Sequence, residues 1–405
     1  MSQSSESSRM EPSRALAGVR VLELGEMVSA PYATKLLADL GADVIKVEPP
    51  AGDRARSRGP WDPRLANADR RDASGLYLAL NTGKRNTVID GDDAGRRALE
   101  ALVAEADIII TNFGSQRLAE LGFDAERLLA DRPEVVICSI TPFGLTGPYA
   151  DYRAEELTVA HGGGWAYQCP GATDEDHLPP LKVFGHQTDF HAGVAGAMVA
   201  LAAFDRAEQT GVGDHIDFSS MAHTAGMLEA AVIAASYMGE NPSRLGSRLL
   251  NPWKILPCAP DGPGRPDGLI FLVTVEQDQW ERLVELMGSP EWADTGLFDT
   301  TELRLENEDL LIVYLEEWTR RHTVADLWHR GQQARICFAP VLTMADLECQ
   351  EHLTDRRFFV EVDHPVAGTV KHLGPPFRST PSLWGPLRPA PLLDHGGHGE
   401  GTGPR

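Results

Sequence analysis

The five cysteines, at positions 138, 169, 258, 337 and 349, are scattered and form no CxxC pair. Neither a disulfide framework nor a structural zinc site has a signature here, and a reducing, intracellular setting fits. Basic charge is also scarce. There are 37 lysines and arginines against 59 aspartates and glutamates, a formal net charge of −22. Such an excess of acid repels phosphate backbones at long range, which argues against a nucleic-acid partner and leaves room only for a local basic patch around a small anion. Long apolar runs are missing too: the longest, 192–204, falls short of the ~18 residues a membrane span needs. The opening "MSQSSESSRMEPSRALAG" has no apolar core of the kind a signal peptide carries, so a cytoplasmic protein without a membrane partner is expected.

Several cofactor and catalytic motifs are absent as well. After the first strand the chain reads "LELGEMVSAP", which is not G-x-G-x-x-G. No G-x-x-x-x-G-K-[ST], H-E-x-x-H or G-x-S-x-G occurs. These gaps count against an NAD enzyme, a P-loop NTPase, a zincin and an ordinary α/β-hydrolase. No internal repeat is visible.

What is present is an alternation of two periodicities. "VRVLEL" (19–24), "DVIKVE" (43–48), "DIIITNF" (107–113) and "EVVICSI" (134–140) read as strands. Between them "SAPYATKLLADLG", "GRRALEALVAEA" (95–106) and "RLAELGFDAERLLADRP" (117–133) read as helices, the first with Ser29 as N-cap, Pro31 in its first turn and Gly41 as its stop. That order implies an α/β fold with a parallel sheet covered on both faces. From about 206 a Gly-rich turn, a strand and a long helix follow, and 225–340 is rich in helix. The expected organisation is a disordered N-terminus (1–16), a large domain (17–224), a small domain (225–340), a return segment completing the large one (341–390) and a disordered tail (391–405).

Two features stand out as candidate chemistry. "LALNTGKRNTVID" (78–90) sets Lys84 and Arg85 in a turn, and "DRARSRGPW" (53–61) adds Arg54, Arg56 and Arg58 in another. Each is either a solvated turn or a grip for an anionic ligand at the ends of early strands. The other feature is "LKVFGHQTDFHAG" (181–193), which sets Asp189 between His186 and His191 at the mouth of a run of small residues. Asp189 reads as a metal ligand, a helix cap or a catalytic group. The histidine spacing suits no familiar metal pattern, so no metal is expected. As an N-cap, Asp189 accepts from the backbone N–H groups at 191 and 192. A carboxylate so placed is favoured in its charged form and is available as a nucleophile.

The stretches "GVRVLELGEMVSAPYATKLLADLGADVIKVEPPAGD", "LNTGKRNTVID", "EVVICSITPFGLTGPYAD", "DFHAGVAGA", "TGVGDHIDFSSM" and "APVLTMADL" resemble the family III CoA-transferases. That family spans formyl-CoA transferase, the carnitine CoA-transferases and the α-methylacyl-CoA racemases. The resemblance runs from about residue 17 to residue 390. It implies a Rossmann-like large domain with a smaller α+β domain, in two chains interlocked as a homodimer. Its active site lies between the large domain of one chain and the small domain of the other. Asp189 then matches the family's catalytic aspartate in a G-x-x-x-D-x-x-x-G context (Gly185, Asp189, Gly193), with Glu156 as a second catalytic carboxylate. Lys84, Arg85, Val28, Arg54 and Arg117 match positions beside CoA. The implied activity moves CoA from an acyl-CoA thioester to a carboxylic acid through an aspartyl-CoA thioester, with no tightly bound cofactor.

The chain departs from the family pattern in three places. "NFGSQ" (112–116) puts Gly114 where the family often has arginine, with Arg117 nearby. Where the racemase branch carries a His-Asp pair, this chain has Glu155 and Glu156, which disfavours α-proton transfer by two bases of near-neutral pKa. The glycine-rich loop of formyl-CoA transferase is replaced by "GSRLLNPWK" (246–254). Two alternatives stay open, an acyl-CoA racemase or epimerase and a non-catalytic CoA-ester binding protein. His161, Trp165 and Tyr167 are candidates for an acyl pocket or for an aromatic cluster, as are Trp253 and His186.

Overall fold

A computed structural model describes residues 14–65, 70–169, 179–228, 230–239, 241, 252–260, 268–380, 382–385 and 387–393. The expected disorder at 1–13 and 394–405, and most of the 246–254 segment, lie outside these residues. The chain divides into two compact units, one made of residues up to Cys169, Leu181–Tyr237 and the segment from Arg357 onward, the other chiefly of Met238–Arg356.

The first unit is built on six parallel strands: β1 (Arg20–Leu24), β2 (Asp43–Glu48), β3 (Arg85–Val88), β4 (Ile108–Thr111), β5 (Val136–Thr141) and β6 (Asp214–Ser219). Their order is β3-β2-β1-β4-β5-β6. Successive connections run outward in opposite directions from β1 and β4, so the crevice at the carboxyl ends of those two strands is the topological switch point. Every residue of β4 and β5 is buried, as continuous apolar runs require when helices cover both faces.

Ten helices of this unit fall among the described residues: α1 (Ser29–Asp39), α2 (Gly75–Leu80), α3 (Asp93–Glu105), α4 (Ser115–Glu120), α5 (Ala125–Asp131), α6 (Glu156–Gly162), α7 (Trp165–Gln168), α8 (Gln187–Thr210), α9 (Ser220–Gly226) and α10 (Ala231–Met238). Alternate strand residues face opposite layers. Val21, Ile108, Ile110, Val136 and Cys138 pack on α1 and α8 through Ala33, Leu37, Ala197 and Ala200. Leu22, Ile109 and Ile137 face the other way, onto Leu99 of α3, Leu118 of α4 and Phe123.

Two helices expected from the sequence are each divided. The segment 117–133 breaks between α4 and α5, because Gly122 takes a left-handed φ of 77° and the Asp124 side chain caps α5 by accepting from Arg127 N. The long helix expected after β6 is likewise in two pieces, α9 and α10. The antiparallel hairpin β10 (Phe359–His364) and β11 (Gly368–Leu373) completes this unit. Residues 391–393, grouped with the disordered tail by composition, are ordered: Leu393 N donates to Asp72 and the Asn86 amide donates to Leu392 O.

The second unit has a three-stranded antiparallel sheet, β7 (Trp253–Cys258), β8 (Gly268–Val273) and β9 (Cys337–Pro340). Helices α11 (Gln277–Leu286), α12 (Thr301–Glu306), α13 (Glu308–Thr319) and α14 (Val324–Gln333) accompany it, followed by the short α15 (Met344–Glu348) and α16 (Glu351–Asp355). Its core gathers Leu256, Ile270, Leu272, Trp280, Leu283, Phe298, Leu311 and Phe338. Trp253 packs edge-on to Phe271 at 5.7 Å, which gives it a place in this sheet's aromatic packing.

Candidate active site

At the switch point a cleft opens over the carboxyl ends of β1, β4, β5 and β6. Its wall is supplied by the residues that follow each strand: Glu26, Met27, Val28 and Ser29 after β1, Asn112 after β4, Pro142 after β5 and Ser220 after β6. Arg54, Glu155, Glu156, His186 and Asp189 complete it.

The β1–α1 turn owes its shape to neighbours distant in sequence. Asn112 accepts from Glu26 N at 3.0 Å and donates to Glu26 O at 2.7 Å and to Ser29 Oγ at 3.1 Å. Met27 sits at a left-handed φ of 63°. Its N–H donates to Asp53 Oδ1 at 2.9 Å, which holds a conformation that a residue with a side chain rarely adopts. Asp53 is itself fixed by Lys46, 2.7 Å away.

Asp189 stands in the third residue of α8, not at its cap. Gly185 turns the chain with a φ of 85°, and His186 occupies the cap position without capping. The capping acceptor is Glu156 from α6, whose Oε1 accepts from Thr188 N at 3.3 Å and Thr188 Oγ1 at 3.0 Å. Its Oε2 pairs with Lys182 at 2.7 Å. Glu156 therefore satisfies an orphan donor of the helix start, a role usually filled from within the helix. Its side chain is only 6% exposed and both oxygens are engaged, so it is poorly placed to accept a substrate proton.

The Asp189 side chain is 24% exposed, and its Oδ2 lies 3.3 Å from His186 Nδ1. That hydrogen bond, followed by the charges of Asp189 and Glu156, outweighs burial and the nearby Lys182 and raises the His186 pKa above its ordinary 6.5. The small residues of α8 bring this helix in tightly. A Cβ on Gly193 would lie 2.7 Å from the Ser29 carbonyl oxygen, and one on Gly196 would lie 2.4 Å from Ile140 Cδ1. Asp189 is thereby carried up against the start of α1.

Six of the residues singled out in the sequence meet in this cleft: Val28, Arg54, Glu155, Glu156, His186 and Asp189. Three matched to CoA do not. Lys84 is buried, and its Nζ donates to Glu23 at 2.8 Å, Pro31 O at 2.7 Å and Asn81 Oδ1 at 2.8 Å. Burial pushes its pKa down to about 8 despite Glu23. An ammonium enclosed by three protein acceptors has no donor left for a phosphate, so the phosphate-grip expectation fails for this residue. Arg85 begins β3, at the end of the sheet opposite the cleft, where it pairs with Asp43 at 2.6 Å. Arg117 of α4 pairs with Glu120 at 3.0 Å and lies 6.0 Å from the Phe113 ring centre, outside the cleft lining.

Arg56 is likewise buried, held by Glu48 at 2.7 Å and Asp72 at 2.6 Å. Trp165 lines a narrow crevice beside Glu156, Lys182 and Thr188, and packs edge-on against His191 at 5.3 Å. His161 bonds to Leu157 O, and Tyr167 is exposed. Sequence reasoning missed Glu26, Ser29, Asn112, Lys182 and Ser220. Glu26, Ser29, Asn112 and Ser220 each follow the carboxyl end of a strand, but only the strand order shows which of those ends meet at the cleft. Among the described residues no group of three or more His, Cys, Asp or Glu side chains is placed to hold a metal ion. No described helix is long and apolar enough to cross a membrane.

The geometry can be set beside known proteins. Residues 16–398 match the family model described as CoA-transferase family III. A succinyl-CoA:mesaconate CoA-transferase of Haloarcula marismortui is 31% identical over 390 residues, covering 94% of both chains. A succinate–glutarate CoA-transferase of Agrobacterium fabrum is 30% identical, covering 93% of this chain and 92% of the relative. Among solved structures, a CAIB/BAIF family protein from Brucella suis superposes with a TM-score of 0.82 at 29% identity, covering 95% of this chain and 97% of that one. The match extends over both compact units and reaches curated enzymes at this identity. The chain is an enzyme that belongs to CoA-transferase family III.

Proposed function

We propose that this protein moves CoA from an acyl-CoA donor to a free dicarboxylic acid, with Asp189 as the nucleophile. The observation that carries this reading is a carboxylate in the first turn of a long helix, partly exposed in a cleft at the switch point. Mesaconate and glutarate, named for the relatives, and oxalate, named for a formyl-CoA:oxalate CoA-transferase of Streptomyces avermitilis, each carry two carboxylates. Succinyl-CoA is the expected donor on the same ground.

An Asp189 oxygen attacks the thioester carbonyl and expels CoA thiolate, leaving an acyl-aspartyl anhydride. The thiolate attacks the aspartyl carbonyl of that anhydride and releases the donor acid, so that CoA is held on Asp189 as a thioester. The acceptor carboxylate then attacks this thioester, the thiolate leaves again, and its attack on the acceptor acyl carbon yields the new acyl-CoA and free Asp189. Covalent catalysis here divides an exchange between two poor electrophiles into thioester and anhydride steps. Each step trades one anion for another, so no net proton transfer is needed.

The N-terminus of α8 supplies partial positive charge at the reacting carboxyl. Val28 and Arg54 line the wall against which CoA lies, and Glu156 acts by fixing the start of α8. Because both Glu156 oxygens are engaged, Glu156 is a poor second base for the racemase alternative, which is left with the exposed Glu155.

We also read the protein as an interlinked homodimer. Phe184 is 95% exposed, and none of the residues of α10 is buried, although Val232, Ile233, Tyr237 and Met238 are apolar. Surfaces of that kind call for a partner. In sedimentation, twice the chain mass is expected.

The enzymatic test uses succinyl-CoA and glutarate. Wild-type protein exchanges CoA between them, and hydroxylamine added with succinyl-CoA alone leaves a hydroxamate at Asp189. Asp189→Asn abolishes both without dissociating the dimer; full exchange by that variant overturns the assignment.

A further inference from the structure

Four carboxylates border the cleft, from Glu26, Glu155, Glu156 and Asp189, yet the reaction must bring another carboxylate into it. The cations nearby are mostly engaged. Arg54 Nε lies 2.8 Å from Glu26 and its Nη1 is 3.9 Å from Glu155, while Lys182 is paired to Glu156. His186 faces Asp189 itself, with Nδ1 3.3 Å from Oδ2 and a side chain 34% exposed. Among the described residues no donor is recorded on Oδ1, so one oxygen is held and the other is left to attack.

That arrangement changes once Asp189 carries CoA. The side chain is then a neutral thioester, and the imidazolium loses its counter-ion. We propose that His186 is the acceptor-binding residue, passing its Nδ1–H from Asp189 to the incoming carboxylate and holding it against the aspartyl carbonyl. This deepens the assignment of Asp189 as nucleophile and rests on it. In the step itself the acceptor oxygen bonds to the aspartyl carbon, the C–S bond breaks and CoA leaves as thiolate. The step consumes no proton.

Asp189 and Glu156 favour the charged imidazole and Lys182 opposes it, with Glu26, Glu155 and Arg54 further round the cleft. In the free enzyme the net result is a raised pKa, and thioester formation removes the Asp189 share of it. The sign is the same in either state: His186 is charged at low pH, and its charged hold on a carboxylate is lost as pH rises through the pKa of the loaded enzyme.

The test separates the two halves of the reaction. Enzyme is loaded with succinyl-CoA alone, freed of excess donor, and the aspartyl thioester is discharged either with glutarate or with neutral hydroxylamine. In wild-type protein, discharge by glutarate falls by about tenfold in all as pH rises through the His186 pKa of the loaded enzyme, then levels off. Discharge by hydroxylamine, corrected for its own protonation, shows no such fall. His186→Asn keeps a donor of similar reach without the charge. It slows glutarate discharge by about tenfold at low pH, the scale of one charge–charge contact at a half-exposed site, and flattens the profile. Hydroxylamine discharge stays within about twofold of wild type, since the neutral nucleophile brings no charge for His186 to hold.

The proposal is overturned if the variant keeps the wild-type glutarate profile, or if both nucleophiles slow equally, which is what a purely structural histidine would give. A wild-type enzyme that forms no adduct overturns the Asp189 assignment first, and this inference with it.

Discussion

Replacing Gly193 with alanine tests whether the position of α8, and not only the identity of Asp189, sets the activity. Gly193 lies one turn beyond Asp189 in α8, facing the start of α1. A Cβ built there meets the Ser29 carbonyl oxygen at 2.7 Å and Tyr32 Cβ at 3.2 Å. The first contact is with backbone and cannot be relieved by a rotamer change, so the helices must separate by about 0.7 Å to restore ordinary contact. Overpacking of this kind costs about 1–3 kcal/mol, and alanine in place of glycine within a helix returns about 1 kcal/mol. The net loss of stability is therefore about 0–2 kcal/mol. Activity should respond more steeply, because a shift of this order at the nucleophile lowers the rate by roughly ten- to a hundredfold.

The assay pairs a thermal melt with initial rates of exchange between succinyl-CoA and glutarate. The expected outcome is a melting temperature within a few degrees of wild type and kcat reduced at least tenfold. Gly91→Ala, where a Cβ meets nothing within 4 Å, serves as the control. An unchanged kcat in Gly193→Ala would refute the claim that close approach of α8 positions the nucleophile.

Other residues divide into those expected to affect stability and those expected to affect catalysis. Lys84→Met leaves part of the Glu23 charge uncompensated in the interior and should lower stability by about 3–5 kcal/mol in urea titration, with the KM for acyl-CoA unchanged. A raised KM at full stability would restore a phosphate-binding role for Lys84. Glu156→Gln keeps an acceptor for Thr188 but breaks the ion pair with Lys182, so kcat should fall several-fold without being abolished; complete loss would mark Glu156 as reacting directly. Burial pushes the Glu48 carboxyl up, but hydrogen bonds from Arg56 and the charge of Lys46 prevail and hold its pKa at about 2. Its ionised form thus stabilises the fold at neutral pH. That contribution, of the order of 3 kcal/mol, is lost as pH falls from its ordinary 4.5 toward 2. Glu48→Gln should remove this stretch of the acid-unfolding curve.

The parallel sheet was legible because strands such as "DIIITNF" and "EVVICSI" must be apolar on both faces once helices cover both sides. The motif marked Asp189 as the candidate nucleophile, but its place in the helix was not legible. The acceptor that caps α8 is Glu156 on α6, so no local pattern marks Gln187 as the first helical residue. Lys84 misled for a related reason. Its partner Glu23 sits on β1, two strands across the sheet from β3, and a window around "NTGKRN" shows only a basic turn. Asn112 was overlooked because an asparagine after a strand looks like loop chemistry. Only the strand order reveals that β4 borders the switch point and that its amide pins the β1–α1 turn.

A single turnover with acceptor acid labelled with heavy oxygen in the reacting carboxylate tests the covalent route most directly. If the acceptor attacks an aspartyl thioester and thiolate then cleaves the anhydride at the acceptor side, the bridging oxygen stays on Asp189. Mass spectrometry of the peptide containing Asp189 should then show one heavy oxygen on that side chain. An unlabelled Asp189, with the heavy oxygen lost from the acceptor found instead in the released donor acid, would contradict the account.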